Sequence, residues 1–201
     1  MMTGMSATAP VPTDAPDEGL VAEAKALDEA AYQAVARTPT PTIDAGLRRL
    51  SRAADKSKLW FGTAAVIAVV GGRRGRQAAL TGVAAIGVTS ALVNIGVKPF
   101  ARRHRPDRTD AEFVDRHVRM PQSTSFPSGH SASAFAFAEA VSSQLPVIGI
   151  PLRLAAAAVA YSRVHTGVHY PGDVIIGSLI GMTTGELVGQ AGRLIARRVD
   201  G

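Results

Sequence analysis

The stretch from Gln77 to Val97 contains no charged residue, and a run of that length is enough to cross a bilayer at about 20 residues per crossing. A chain with such a segment must satisfy every backbone polar group within helices or a closed barrel. Four further apolar segments accompany it, from about Leu59 to Gly72, Gly129 to Pro146, Pro151 to Val164 and Asp173 to Ile195. They carry the length and the small-residue content of helices, so the predicted fold class is all-α, a multi-pass membrane helical bundle with about five transmembrane helices. The first segment is short, and a spanning helix there needs to extend back toward Ser57. Gly177, Gly181, Gly185 and Gly189 form a four-residue ladder on the last helix, which lets another helix approach closely. The same feature suits a homo-oligomer formed through helix packing.

The 46% hydrophobic fraction of the 201 residues looks ordinary because the first 56 are mostly polar. Residues 1–18, rich in Pro, Thr, Ala and Asp, read as a disordered tail. Within 19–56, Leu20, Ala24, Leu27, Ala31 and Val35 recur at helical spacing. The run Thr38-Pro39-Thr40-Pro41 breaks that helix, and a second short one follows Thr42. Leu47 and Leu50 lie on one side of it with Arg48, Arg49 and Arg52 around them, a polarity that fits an interfacial helix and equally a solvated linker. Residues 57–201 form the membrane core. The first apolar stretch begins near Leu59, whereas a secretory signal opens a chain. With no cysteine in the sequence, there is neither a disulfide nor a thiolate nucleophile.

The net charge of +6 raises nucleic acid as a partner. The basic residues sit mainly at the ends of apolar segments, as membrane flanks do, and no stacking aromatics interleave with them. Nucleic acid is therefore not an expected partner; membrane lipids are.

Three polar signatures punctuate the apolar segments: Lys98-x6-Arg105-Pro106, Pro127-Ser128-Gly129-His130, and Ser162-Arg163-x5-His169-x3-Asp173. Ionisable residues beside a bilayer are expensive unless they function. If each helix crosses once, all three signatures emerge on one membrane face, with the loop Ala101–Phe126 as a lid or headgroup surface over them. Arg105 can bind phosphate oxygens bidentately, and Lys98 acts as a point charge. Arg102 and Arg103, by contrast, read as flanking charge. Ser128 reads as an N-cap, and the helix it opens presents free N–H groups suited to phosphate, with Gly129 permitting close approach. His165, His169 and Asp173 are spaced like metal ligands, but Pro171-Gly172 interrupts the helix such a site needs. The zinc-protease pattern also needs Glu where Thr166 stands.

In order and spacing the three signatures resemble those of the type 2 phosphatidic acid phosphatase superfamily at every fixed position, over about Leu59 to Arg198. The resemblance implies metal-independent hydrolysis of a lipid phosphate or diphosphate ester without a cofactor. It implies His169 as the nucleophile forming a phosphohistidine, Asp173 holding its other ring nitrogen, and His130 protonating the leaving oxygen. Lys98, Arg105, Ser128, Gly129 and Arg163 would bind the phosphoryl group. Soluble acid phosphatases and vanadium haloperoxidases share the pattern, but the five apolar runs disfavour both. A rival of another class is a non-catalytic lipid-phosphate binding or transport protein on the same bundle; retention of both His130 and His169 argues against it. Ser51–Trp60 and Arg73-Arg74-Gly75-Arg76 are also similar to the phosphatase part of actinobacterial proteins fused to a lipid kinase. The expected location is the cell membrane. Basic residues flank both faces nearly equally, and family habit leans toward an extracytoplasmic site.

Overall fold

The computed structural model describes residues 16–108 and 114–200; most of the predicted N-terminal tail and the middle of the predicted lid loop lie outside them. Seven α-helices occur among the described residues: α1 Pro16–Arg37, α2 Pro41–Ala53, α3 Lys58–Val70, α4 Gly72–Ala91, α5 Gly129–Ser142, α6 Gly149–His165 and α7 Pro171–Asp200. Pro39 and Pro41 separate α1 from α2, as the sequence predicts, with Pro41 in the first turn of α2, where its missing N–H costs nothing. A 3₁₀ turn, Asp55–Ser57, links α2 to α3, and a π-helical turn, Leu92–Val97, extends α4 to the doorstep of Lys98.

The all-helical membrane bundle predicted from the sequence is found, but the count of about five spans is not. Among the described residues, three helices are long and apolar enough to cross a membrane: Gly72–Val97, Pro146–His165 and Pro171–Arg198. Of the other two predicted spans, α3 has 13 residues and α5 has 14, each near 20 Å at about 1.5 Å per residue. The brevity of α5 has a physical reason. It is the central helix, with Ala132, Ala134, Ala136, Phe137, Ala138, Ala140 and Val141 all buried, so its neighbours rather than lipid satisfy it.

Packing is inverted relative to a water-soluble bundle. The buried positions are largely alanine, while Val66, Val69, Leu80, Val88, Ile95, Leu154, Ile175, Leu179 and Leu187 point outward. Small residues inside let helices approach, and large apolar ones outside meet hydrocarbon. The predicted glycine ladder shows this most sharply. A Cβ at Gly177, Gly181 or Gly185 would collide with the backbone carbonyl of Ser128, Ala132 or Ala136 on α5. That face is filled within the chain by α5. On the other side, Trp60 of α3 packs against Phe137 at 5.4 Å between ring centroids, closing the core around α5.

Candidate active site

α5 starts where it does because Ser128 caps it, its hydroxyl accepting from the Ser131 amide at 3.4 Å. The Ser128 amide donates in turn to the Asp173 carbonyl at 2.9 Å, which locks the start of α5 to the start of α7. α6 ends at His165, and Gly167, at φ +67°, turns the chain back so that His169 lies beneath the α5 N-terminus. Lys98 and Arg105 arrive from the end of α4. A cavity of about 240 Å³ opens between these ends, lined by Lys98, Arg105, Gly129, His130 and His169 together with Ser90, Asn94, Ser123 and Ser133.

Five of the eight sequence-predicted residues therefore share one cavity. The other three stand behind it. Ser128 spends its side chain on the helix cap, Asp173 is fully buried under His169, and Arg163, 1% exposed, donates to the Ser51 hydroxyl at 2.6 Å.

His169 is the best-defined group. Its Nδ1 lies 3.4 Å from Asp173 Oδ2, and its Nε2 faces Arg105 Nη1 at 3.3 Å. Burial pushes its pKa down to about 3, the charges of Arg105 and Arg163 add to this, and Asp173 opposes it. The ring is therefore neutral at physiological pH. With its Nδ1 proton directed at the carboxylate, Nε2 keeps its lone pair. The Asp173 carboxylate also accepts from the Ser125 hydroxyl, from the Tyr170 amide at 3.0 Å, and from Arg103 Nη1 at 3.1 Å.

The cations are fixed by backbone. Arg105 donates to the carbonyls of Val168, Ser123 and Thr124 at 2.7–3.2 Å, and Lys98 Nζ lies 3.2 Å from the Ser123 hydroxyl. Burial lowers the pKa of both, and their mutual repulsion adds to this for Lys98. An anion arriving between them relieves that repulsion.

One sequence reading is corrected here. Arg103 is not a flanking charge: besides Asp173, it pairs with Asp28 of α1 at 2.6 Å and lies over the Tyr170 ring at 4.1 Å. It reads as flank in sequence because it sits in the run Arg102-Arg103-His104-Arg105. The metal triad of His165, His169 and Asp173 does not assemble, because His165 Nε2 turns away to Asp44 of α2 at 2.9 Å, where Asp44 also pairs with Arg116. Sequence reasoning also missed Ser125, in a serine-rich loop without periodicity, and Ser51 and Asp55. The last two are four apart in the segment whose similarity to actinobacterial phosphatases was the only signal.

Residues 78–192, which contain all three signatures, match the PAP2 superfamily. The chain belongs to the PAP2 superfamily. It is 32% identical over 156 residues to the decaprenylphosphoryl-5-phosphoribose phosphatase of Mycobacterium tuberculosis, covering 76% of this chain and 82% of the relative. It is 33% identical over 138 residues to the protein of that name from Mycolicibacterium smegmatis, covering 68% and 72%. The fold is similar to that of a transmembrane PAP2-type phosphatidylglycerolphosphate phosphatase from Bacillus subtilis, with a TM-score of 0.69, 23% identity, and 86% and 88% coverage. It is also similar to Aquifex aeolicus LpxE, with a TM-score of 0.62, 25% identity, and 78% and 91% coverage. The enzyme class predicted from the sequence, a membrane PAP2 lipid phosphate phosphatase, stands.

Proposed function

We propose that this PAP2 protein hydrolyses the terminal phosphate of a polyprenyl-phosphosugar phosphate through a phosphohistidine on His169. The observation that carries the reading is His169 itself, neutral and backed by Asp173, with Nε2 turned toward Arg105 in a cavity shared with Lys98 and the α5 N-terminus. The phosphoryl oxygens sit between Lys98, Arg105 and the first amides of α5, where helix N–H groups favour an anion. His169 Nε2 attacks phosphorus as the bond to the sugar oxygen breaks, and His130 delivers a proton to that oxygen. Water then attacks the phosphohistidine, giving His130 its proton back, and inorganic phosphate leaves. Arg163 acts from behind, by its charge and by fixing the strand of chain around Ser51. No step in this sequence calls on a metal or a cofactor.

Two facts favour a sugar phosphate among lipid phosphates. The two curated relatives named above are decaprenylphosphoryl-5-phosphoribose phosphatases. The cavity lining includes Ser90, Asn94, Ser123 and Ser133, amide and hydroxyl groups that suit a polyhydroxylated leaving group better than a diacylglycerol. The chain resides in the cell membrane with the cavity on the extracytoplasmic side. The deciding assay is phosphate release in detergent from decaprenylphosphoryl-5-phosphoribose, phosphatidic acid, phosphatidylglycerol phosphate and a polyprenyl diphosphate, alongside a soluble phosphomonoester. The phosphosugar lipid should lead in kcat/KM. Equal turnover of the soluble ester and its long-chain counterpart would defeat the lipid reading.

A further inference from the structure

The second histidine of the cavity also has a carboxylate, and it comes from outside the three signatures. Asp55 Oδ1, in the turn between α2 and α3, lies 2.9 Å from His130 Nε2 and 3.6 Å from Arg163 Nη1. Asp55 is half exposed, yet its backbone is held tightly. Ala54 before it is buried, Ser51 one turn back is fully buried against Arg163, and Lys56 and Ser57 after it both take left-handed conformations, at φ 52° and 58°. Two successive non-glycine residues with positive φ persist only where the surroundings impose them. Here the result of that geometry is one carboxylate set against one imidazole.

We propose that Asp55 is the positioning residue of His130, holding the ring in place and favouring its protonated form as the acid for the leaving oxygen. This rests on the reading of His130 as general acid. The charged groups facing His130 are Asp55, Arg163 and Lys98. Burial lowers the pKa of His130 and the charges of Arg163 and Lys98 add to this, while Asp55, through its hydrogen bond and its charge, is the carboxylate among the described residues that opposes them. Asp55 itself is held below the ordinary carboxylate range, first by its hydrogen bond to His130 and then by the charges of His130, Arg163 and Lys58, so it is ionised at neutral pH. The site thus contains two histidine–aspartate pairs with opposite tasks. The buried pair Asp173–His169 keeps a neutral ring with a free lone pair, and in the half-exposed pair Asp55–His130 the carboxylate favours the proton to be given. In the transfer step that proton moves to the sugar oxygen as the P–O bond breaks. In hydrolysis of the phosphohistidine, the neutral ring recovers a proton from the attacking water, and Asp55 again stabilises the cation formed. The competing account is that Asp55 only ties the α2–α3 turn to Arg163.

Leaving-group dependence separates the two accounts. The full chain in detergent is assayed with a long-chain alkyl phosphate and with a long-chain aryl phosphate whose phenolate departs without protonation. Comparison uses kcat/KM, which reports steps through transfer to His169. Asp55→Asn should lower kcat/KM on the alkyl ester by about 10²-fold, within the usual range of general acid catalysis, and on the aryl ester by less than about threefold. The high-pH limb of the alkyl profile should move to lower pH, because His130 without its carboxylate loses its proton sooner. Asp55→Glu should restore part of the rate. His130→Ala should show the same split, and the double variant should be no slower than His130→Ala alone. If His130→Ala splits the two esters but Asp55→Asn slows both alike with a lowered Tm, Asp55 is structural and the proposal is overturned. If His130→Ala itself slows both equally, the general-acid reading fails first.

Discussion

The motif-bearing ends of α4 to α7 and the N-terminal segment, α1 to the Asp55 turn, close on the same cavity in different ways. The first supplies the signature residues that line it, Lys98, Arg105, Gly129, His130 and His169, while the turn after α2 adds Ala54, Lys56 and Ser57 to the wall. The second supplies carboxylates and hydroxyls that hold those groups or their supports. Asp28 pairs with Arg103, Asp44 with His165 and Arg116, Ser51 with Arg163, and Asp55 with His130. Every one of these contacts pairs a group on the N-terminal segment with a cation or histidine from the membrane core. The core on its own would gather Lys98, Arg105, Arg163, His130 and His169 around the carboxylate of Asp173. The N-terminal segment therefore acts as an electrostatic brace for a cavity rich in cations and histidines.

Breaking the core side should have the largest effects. His169→Ala should lower kcat by about 10⁴-fold or more, since removing a nucleophile leaves only binding and electrostatic catalysis. Wild-type protein quenched in alkali during turnover of a ³²P-labelled substrate should carry acid-labile phosphate that the variant lacks. Normal turnover by His169→Ala would remove the nucleophile assignment altogether. Next comes Arg105→Lys, which keeps the charge but loses the fork that spans Val168, Ser123 and Thr124. It should cost about 10²-fold in kcat/KM, the range for one lost oxyanion donor. Vanadate inhibition should weaken in parallel, whereas a merely structural Arg105 would leave vanadate affinity unchanged.

The brace should show smaller, graded effects. Arg103→Ala removes one of the donors to Asp173 and takes the cation away from Asp28, which keeps the Gly172 amide. A fall in kcat of about tenfold with KM little changed is expected, since the loss acts through the orientation of His169 rather than through binding. Asp28→Asn, one contact further out, should cost about threefold or less. If Asp28→Asn matched Arg103→Ala, the chain from α1 to Asp173 would not be a graded one. If neither variant altered kcat, α1 would be an interfacial helix with no part in the site.

The same comparison explains what could be read from the sequence. His130, His169, Asp173, Lys98 and Arg105 were legible because polar groups at the ends of apolar helices have few reasons to be there. The glycine ladder was legible because a period of four on an apolar helix has one packing use. Asp28, Asp44, Ser51 and Asp55 were not, since they sit on amphipathic helices or turns where a polar residue is the default, and only the fold shows which one faces a cation. Arg103 was hidden by its basic neighbours. The span count is not confirmed for a related reason: α5 is packed among other helices, so its length and composition carry little of the signal that marks a lipid-facing span.

The smallest expected effect lies in stability against pH, where the two regions part cleanly. His169 is held neutral in the folded chain with a pKa of about 3, against about 6.5 in an unfolded one. Between those values the unfolded chain binds a proton that the folded chain does not. The His169 contribution to stability is therefore complete above about pH 6.5 and is lost as pH falls toward 3. Asp55 is also depressed on folding, but from a carboxylate value near 3.9, so its contribution survives down to about pH 4 and is lost only below that. Acidifying from pH 7.5 to 5 should thus lower the Tm of the wild type in detergent more than that of His169→Gln, while Asp55→Asn should lose at least as much as the wild type, because His130 without its carboxylate is held neutral more firmly in the fold. Equal losses in wild type and His169→Gln would show that His169 is not buried neutral, and with that the free lone pair at Nε2 would go.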